Sequence, residues 1–102
     1  MLPLVIIGAG PAGAVAAVLL RRAGIPVVLI EQNTFPRDKV CGECLSSLGI
    51  EVLGRAGLDD RIKQLAPAIL RRTLLHAAEN STACLNLDAP MWGITRAAMD
   101  TT

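Results

Sequence analysis

Residues 8–13 of the chain read Gly-Ala-Gly-Pro-Ala-Gly, a pattern typical of the turn between a strand and a helix. An apolar, β-branched run at residues 4–7 precedes this turn, and residues 14–23 follow it with high helix propensity and no breaker. A second apolar run at residues 27–30 ends at Glu31. This order of strand, glycine turn, helix, strand and acid predicts a βαβ unit that binds a dinucleotide.

Each glycine of the turn has a predicted role. Gly8 permits the tight turn out of the first strand, Gly10 leaves room for a diphosphate beside the backbone, and Gly13 lets the helix pack closely on the sheet. Pro11 suits a helix start, because an N–H group has no helical partner there. The free N–H groups of the first helical turn, together with the helix dipole, favour an anion at this point.

Glu31 is the predicted ligand of the adenosine ribose. It follows the first glycine of the motif by 23 residues, close to the separation of about 20 that is usual for this acid. Its carboxylate can accept hydrogen bonds from both ribose hydroxyls and would repel a 2′-phosphate, so the site is expected to disfavour NADP. The alternative is a glycine-rich turn without a ligand, because a lone motif of this kind often arises by chance.

Composition narrows the class of protein. The 102 residues are 52% hydrophobic and carry a net charge of +1, which indicates neither a nucleic-acid surface nor an acidic partner. Three cysteines, an odd number, argue against a disulfide framework and favour a cytoplasmic location. The uncharged stretch at residues 2–20 lacks a basic start and is interrupted by glycines and prolines, so it is predicted to be buried rather than a signal or anchor.

The remaining pattern predicts an α/β fold, a Rossmann-like βαβ unit followed by a β-hairpin that belongs to an incomplete remainder. A complete dinucleotide-binding sheet needs more strands, so we expect the N-terminal part of a longer protein. Both strands of the βαβ unit are apolar throughout, which predicts a sheet covered on both faces. The predicted strands are 2–7, 27–31, 69–77 and 83–87, and the predicted helices are 11–23, about 45–56, 59–65 with Asp59 as cap, and one from Arg96 with Thr95 as cap.

By residue 46 the sequence resembles a known family. The glycine turn, the segment Val-Leu-Ile-Glu at 28–31 and the segment Phe-Pro-Arg-Asp-Lys-Val-Cys-Gly-Glu-Cys-Leu-Ser at 35–46 look like the start of FAD-dependent oxidoreductases of the geranylgeranyl reductase type. Flavin halogenases and para-hydroxybenzoate-hydroxylase-like monooxygenases share much of this pattern. Residues 94–100, where an arginine opens a helix and an aspartate follows four positions later, resemble a later element of the group.

The resemblance implies FAD as cofactor and NAD(P)H as electron donor. It also implies a small, hydrophobic substrate, isoprenoid or aromatic, and either alkene reduction or oxygen activation. We expect one FAD-binding domain over 1–102, with the βαβ unit and Cys-Gly loop at 1–46, helices at 47–66, a hairpin at 68–88 and the start of a helix at 95–102. The predicted cofactor-binding residues are Gly8, Gly10, Pro11, Ala12, Gly13, Glu31, Gln32, Arg37, Cys41, Gly42, Cys44 and Arg96.

Within that set the resemblance implies separate roles. The backbone of Ala12 faces the diphosphate, and Arg96 reaches toward the cofactor from a helix start. The Cys41-Gly42 pair approaches the flavin, with Cys44 at a neighbouring contact position. Arg37, rather than Lys39 at the other side of the same loop, is expected to make a cofactor or structural contact. Neither a catalytic acid or base nor a metal ligand is predicted.

Two other functions stay open at this point. Cys41 and Cys44 form a CxxC pair, which also occurs in flavin-linked dithiol–disulfide oxidoreductases and in zinc sites. Zinc is disfavoured because Cys84 and His76 are isolated. The third hypothesis is a non-catalytic fragment that binds only adenine nucleotides. Structural roles are assigned to His76 as a hydrogen-bonded strand residue, to Cys84 and Trp92 as buried residues, and to Leu48, Val52 and Met91 as core residues.

Overall fold

In a computed structural model that describes all 102 residues, the chain begins with the predicted βαβ unit. Strand β1 (Leu4–Ile7) leads into helix α1 (Pro11–Arg22), and strand β2 (Val27–Ile30) returns parallel to β1. The pairing runs in register from Leu4 opposite Val27 to Ile7 opposite Ile30. The predicted order and parallel pairing are therefore confirmed, with slightly shorter strands than predicted.

A second, antiparallel sheet follows the loop after β2. Its strands are β3 (Cys44–Leu45), β4 (Ala68–His76) and β5 (Thr82–Gly93), in the order β3-β5-β4. The predicted hairpin is thus present, but its second strand continues beyond the predicted limit of 88. The end of β5 pairs with both neighbours, since Gly93 lies opposite Ala68 on one side and Cys44 on the other.

Three further helices complete the fold: α2 (Ser47–Arg55), α3 (Asp59–Lys63) and α4 (Arg96–Thr101). The hydroxyl of Thr95 accepts the N–H of Ala98 at 3.1 Å, as predicted for a helix cap. The prediction that Asp59 caps α3 is wrong, because Leu58 occupies that position and Asp59 is the first helical residue. Its carboxylate instead accepts a hydrogen bond of 3.0 Å from the ammonium of Lys63.

Helices α1 and α2 are joined near their C-terminal ends. A guanidinium nitrogen of Arg22 donates a hydrogen bond to the carbonyl of Ala56, just past the end of α2. The chain then turns at Gly57, whose φ of +67° suits a glycine. This contact uses one of the carbonyls that a helix end leaves without an internal partner.

The buried core is small and consists of Ala9, Ala56, Ile62 and Trp92. Trp92 is only 6% exposed, as expected of a core residue. The β1–β2 sheet is not covered on both faces, however, and Ile7 is 86% exposed. The core assignments of Leu48 and Val52 and the burial predicted for Cys84 are also wrong, because all three are exposed. Periodicity identifies an apolar face, but it does not show what covers that face.

The molecule is elongated, with extents of 62 × 27 × 20 Å, because the β4–β5 hairpin extends from the rest of the fold. None of the four helices has both the length and the apolar character needed to span a bilayer.

Candidate functional site

The glycine turn has the geometry that its sequence predicts. Gly8 has a φ of +104°, a conformation that side chains disfavour. A Cβ atom on Gly13 would lie 1.9 Å from the carbonyl oxygen of Gly8, so only glycine allows helix α1 to start this close to the strand. The N–H of Ala14 bonds the carbonyl of Gly10 at 2.9 Å. The N–H groups of Ala12 and Gly13 come earlier in the helix and have no intrahelical acceptor.

Glu31 lies at the end of β2, directly beside the glycine turn. Its Oε2 accepts the N–H of Ala9 at 2.9 Å, and its Oε1 accepts the N–H of Asn33 at 3.1 Å. These two bonds, and more weakly the positive charge of Arg37, hold the pKa of the Glu31 carboxyl below its ordinary value of 4.5. The carboxylate is therefore ionised at neutral pH, and Oε2 retains a lone pair for a further donor.

Arg37 reaches back over this region from the loop after β2. Its guanidinium lies 3.5 Å from Oε1 of Glu31 and 3.8 Å from Oδ2 of Asp100. The same group lies 5.1 Å from the centre of the Phe35 ring, within the range of a cation–π contact. The side chain is only 11% exposed, and its Nε is buried without an acceptor. Arg37 thus has an unused donor inside the site.

Arg96, the first residue of α4, forms a two-pronged pair with Asp100 one turn later. The guanidinium donates through Nε to Oδ1 and through a terminal nitrogen to Oδ2, both at 2.9 Å. These bonds, and to a smaller extent the neighbouring Cys41 side chain, raise the pKa of Arg96 above its ordinary value. The side chain of Asp100 is fully buried.

The two arginines converge on Gly10. An ideal Cβ on Gly10 would lie 3.7 Å from a terminal nitrogen of Arg37 and 3.7 Å from one of Arg96. The missing side chain therefore leaves open backbone between two guanidinium groups at the start of α1. Cations combined with free N–H donors at a helix start are a typical binding site for a diphosphate.

A cleft of about 400 Å³ lies at this point, at the carboxyl ends of β1 and β2. Open α/β sheets bind ligands at this edge. Lys39 also lines the cleft, although it was not among the predicted site residues. Its position two residues after Arg37 in the same loop was the feature from which it could have been predicted. The cleft is lined by Ile7, Gly8, Gly10, Ile30, Glu31, Gln32, Arg37, Lys39 and Arg96. The structure thus brings together the predicted residues Gly8, Gly10, Glu31, Gln32, Arg37 and Arg96.

A larger cavity of about 830 Å³ lies between α1, α2, α3 and α4. Its walls are mostly apolar and include Leu48 and Val52, which explains why these residues are exposed rather than packed. Of the predicted site residues, Pro11 and Ala12 face this cavity rather than the cleft, and Gly10 lies at both.

The Cys-Gly loop lies outside both linings. Cys41, Cys44 and Cys84 are free and exposed. The Cys41 sulfur accepts the N–H of Glu43 at 3.4 Å, and Glu43 adopts a φ of +54° that is unusual for a side-chain-bearing residue. The structure therefore places Cys41 next to Arg96, whereas Gly42 and Cys44 line neither the cleft nor the larger cavity.

His76 lies at the end of β4, where its Nδ1 is 3.0 Å from the hydroxyl of Thr82 on the partner strand, in line with its structural assignment. No group of three histidine, cysteine, aspartate or glutamate side chains that could hold a metal ion occurs in the chain.

The residues of the cleft fit the ADP half of a dinucleotide. Arg37, Arg96 and Lys39 supply three positive charges, which outnumber the carboxylates of Glu31 and Asp100 beside them. The terminal nitrogens of Arg37 and Arg96 beside the open backbone at Gly10 suit phosphate oxygens, and the remaining lone pair of Glu31 suits a ribose hydroxyl.

Comparison with known proteins identifies the family of this chain. Residues 1–98 match the family described as the FAD binding domain. The chain is 45% identical over 64 residues to menaquinone reductase of Mycolicibacterium smegmatis, covering 59% of this chain and 16% of that protein. It is 34% identical over 77 residues to squalene monooxygenase of Rattus norvegicus, covering 76% of this chain and 13% of that protein.

The fold matches the crystal structure of a flavoprotein/dehydrogenase from Cytophaga hutchinsonii with a TM-score of 0.84 and 30% sequence identity. That match covers 97% of this chain and 26% of the other. The chain therefore spans between 13% and 26% of the length of these three proteins.

Proposed function

The chain belongs to the family of FAD-binding domains, and from this premise we propose that it holds the ADP half of FAD in an FAD-dependent oxidoreductase. The observation that supports this most directly is the convergence of Arg37 and Arg96 on the open backbone of Gly10. Glu31 lines the same cleft, 3.5 Å from the guanidinium of Arg37. The cleft thus offers a cationic subsite and an acidic subsite side by side, as an adenosine diphosphate requires.

Each part of the cleft has a proposed role. The diphosphate lies over Gly10, which borders both the cleft and the larger cavity. The two guanidinium groups donate to its oxygens on the cleft side, and the free N–H groups of Ala12 and Gly13 donate from the start of α1. The ribose lies against Glu31, whose Oε2 accepts a hydrogen bond from a ribose hydroxyl in addition to the one from the N–H of Ala9. When bound, FAD supplies the redox chemistry through its flavin ring, and the residues described here bind and orient it.

The Cys-Gly loop is proposed to border the flavin half of the cofactor. Cys41 lies close enough to Arg96 to influence its pKa, so the loop adjoins the diphosphate subsite. The free and exposed state of Cys41 and Cys44 leaves their side chains available for such a contact. The same free state of all three cysteines supports the proposal of a reducing, cytoplasmic setting.

For the reaction, we propose transfer of reducing equivalents from NAD(P)H through FAD to a hydrophobic, isoprenoid-bearing substrate. The names of two relatives support this class, because menaquinone and squalene both contain isoprenoid units. Reduction, of the kind catalysed by geranylgeranyl reductases, is preferred because identity to menaquinone reductase is 45%. Oxygenation is the second candidate, because identity to squalene monooxygenase is 34% over a longer segment.

Calorimetric titration of the purified full chain with FAD, ADP and adenosine tests the proposed binding. We expect ADP to compete with FAD and to bind more tightly than adenosine, because the diphosphate adds the arginine contacts. Absence of binding of both FAD and ADP at millimolar concentration would overturn the proposal. NAD(P)H oxidation with menaquinone in the absence of oxygen, compared with oxygen consumption with squalene, then separates reduction from oxygenation.

A further inference from the structure

We infer that Asp100 is a positioning residue that holds Arg37 and Arg96 together as a two-guanidinium clamp for the diphosphate of FAD. This inference rests on the proposed function, since it concerns how that same cleft binds its ligand. Asp100 is not among the residues predicted from the sequence to bind the cofactor. Asp100 contacts both arginines but does not line the cleft itself; it borders the larger cavity.

The geometry gives Asp100 a role that no neighbouring residue shares. Its Oδ2 is 2.9 Å from a terminal nitrogen of Arg96 and 3.8 Å from one of Arg37. Its Oδ1 accepts the Nε of Arg96 at 2.9 Å, so the plane of that guanidinium is fixed. The Asp100 side chain is fully buried, so water does not compete with the arginines for its carboxylate.

Without such a residue the clamp would be poorly defined. Two guanidinium groups that face the same Gly10 repel each other, and a free arginine side chain samples many rotamers. A shared carboxylate reduces the repulsion and fixes the rotamer of Arg96 through two hydrogen bonds before a ligand arrives. For Arg37 it adds a charge contact at 3.8 Å to the existing contacts with Glu31 and Phe35. Preorganisation of this kind raises affinity because less conformational freedom is lost on binding.

Substitution of Asp100 by asparagine distinguishes a role in positioning the arginines from a purely electrostatic role of the carboxylate. The change removes one negative charge and makes the cleft more positive, so a purely electrostatic role predicts tighter binding of ADP. A positioning role predicts weaker binding, because both arginines lose their common partner. The sign of the change in affinity therefore distinguishes the two roles.

The experiment compares ADP and adenosine binding to the wild-type chain, Asp100→Asn and Asp88→Asn by calorimetric titration. Asp88 is an exposed aspartate on β5, so its variant removes the same charge away from the cleft. For Asp100→Asn we expect the Kd of ADP to rise about tenfold and that of adenosine to stay unchanged, because only the diphosphate uses the clamp. For Asp88→Asn we expect neither to change. Equal or tighter ADP binding by Asp100→Asn would overturn the inference.

Asp100→Glu provides a second variant that keeps the charge and moves the carboxylate by one methylene group. Positioning predicts weaker ADP binding in this variant as well, whereas a charge role predicts no change. Circular dichroism identifies a variant that does not fold, and in that case the other variant decides. Failure of the wild-type chain to bind ADP would instead contradict the proposed function, so the two failures remain distinct.

Discussion

The backbone N–H of Ala9 donates a hydrogen bond of 2.9 Å to Oε2 of Glu31. This bond connects the glycine turn after β1 with the end of β2, so the acid proposed to bind the ribose also holds the turn in place. One donor of the turn is thereby already used, and the N–H groups of Ala12 and Gly13 remain for the phosphates. Ligand binding and local structure should therefore both depend on Glu31.

Replacement of Glu31 by alanine tests this double role. We expect ADP and adenosine binding to weaken by about 1–3 kcal/mol each, because the ribose hydroxyl loses its acceptor in both ligands. Calorimetric titration measures the effect, with Glu51→Ala on the exposed face of α2 as control. Unchanged adenosine binding would contradict the assignment of Glu31 to the ribose.

Protonation of Glu31 should lower the free energy of unfolding in acid. The pKa of Glu31 is lowered by its bonds to Ala9 and Asn33, so the folded state holds this proton more weakly than the unfolded chain. The stabilisation is present above the ordinary value of 4.5 and is lost as pH falls through the lower pKa of the folded state. Urea unfolding at several pH values, followed by Trp92 fluorescence, measures the acid slope, that is, the change in the free energy of unfolding per pH unit in the acid range. This slope should be shallower for Glu31→Gln than for the wild type.

Asp59 offers a comparison for that measurement. The hydrogen bond from Lys63 lowers the pKa of its carboxyl as well, so Asp59→Asn should also reduce the acid slope. Because the two carboxylates are in separate parts of the fold, the double variant should show the sum of both reductions. An acid slope in Glu31→Gln equal to that of the wild type would argue against the bonds described for Glu31.

Gly13→Ala should destabilise the fold strongly. The added methyl group would lie 1.9 Å from the carbonyl oxygen of Gly8, which is backbone and cannot move aside cheaply. We expect a loss of at least about 1–3 kcal/mol in the free energy of unfolding, the usual cost of overpacking. Gly42→Ala is the matched control, since nothing lies within 4 Å of its added Cβ. Similar stability of the two variants would contradict the close approach of α1 to β1.

The CxxC pair can be tested by a double substitution, Cys41→Ser with Cys44→Ser. If the two sulfurs do not exchange electrons with the flavin, the variant should still bind FAD and keep part of the NAD(P)H-dependent turnover. The turnover rate or the affinity for FAD should change. A dithiol–disulfide enzyme would lose all turnover, because its electrons pass through these sulfurs. Steady-state kinetics of the full chain with NAD(P)H separate the two cases.

The sequence was sufficient for the parts of the fold that depend on local patterns. The glycine turn, the parallel pairing of β1 with β2 and the Thr95 cap follow from residues whose conformational requirements are individually strong. The two-residue strand β3 is too short to produce a pattern of its own. The extension of β5 past Pro90 depends on pairing with two neighbours, and the pairing of β4 with β5 is irregular between Leu70 and Arg72.

The residues that meet in the candidate cleft were predictable to a similar degree. Gly10, Glu31, Arg37 and Arg96 were identified from motif and resemblance, and they meet in one cleft. The contact of Asp100 with both arginines was not predictable, because a spacing of four residues indicates the bond to Arg96 but not the approach of Arg37 from a distant loop. Contacts between segments far apart in sequence require the fold.

The uncovered sheet has a practical consequence for handling the protein. Leu4, Val5 and Ile7 of β1 and Val28, Leu29 and Ile30 of β2 expose apolar side chains to solvent. An open strand edge of this type readily pairs with another chain. Samples should therefore scatter more light as they are concentrated, and a mild detergent should reverse the effect. Titrations are best performed at low protein concentration, where the heat of ligand binding is not combined with heat from association of the exposed apolar strands.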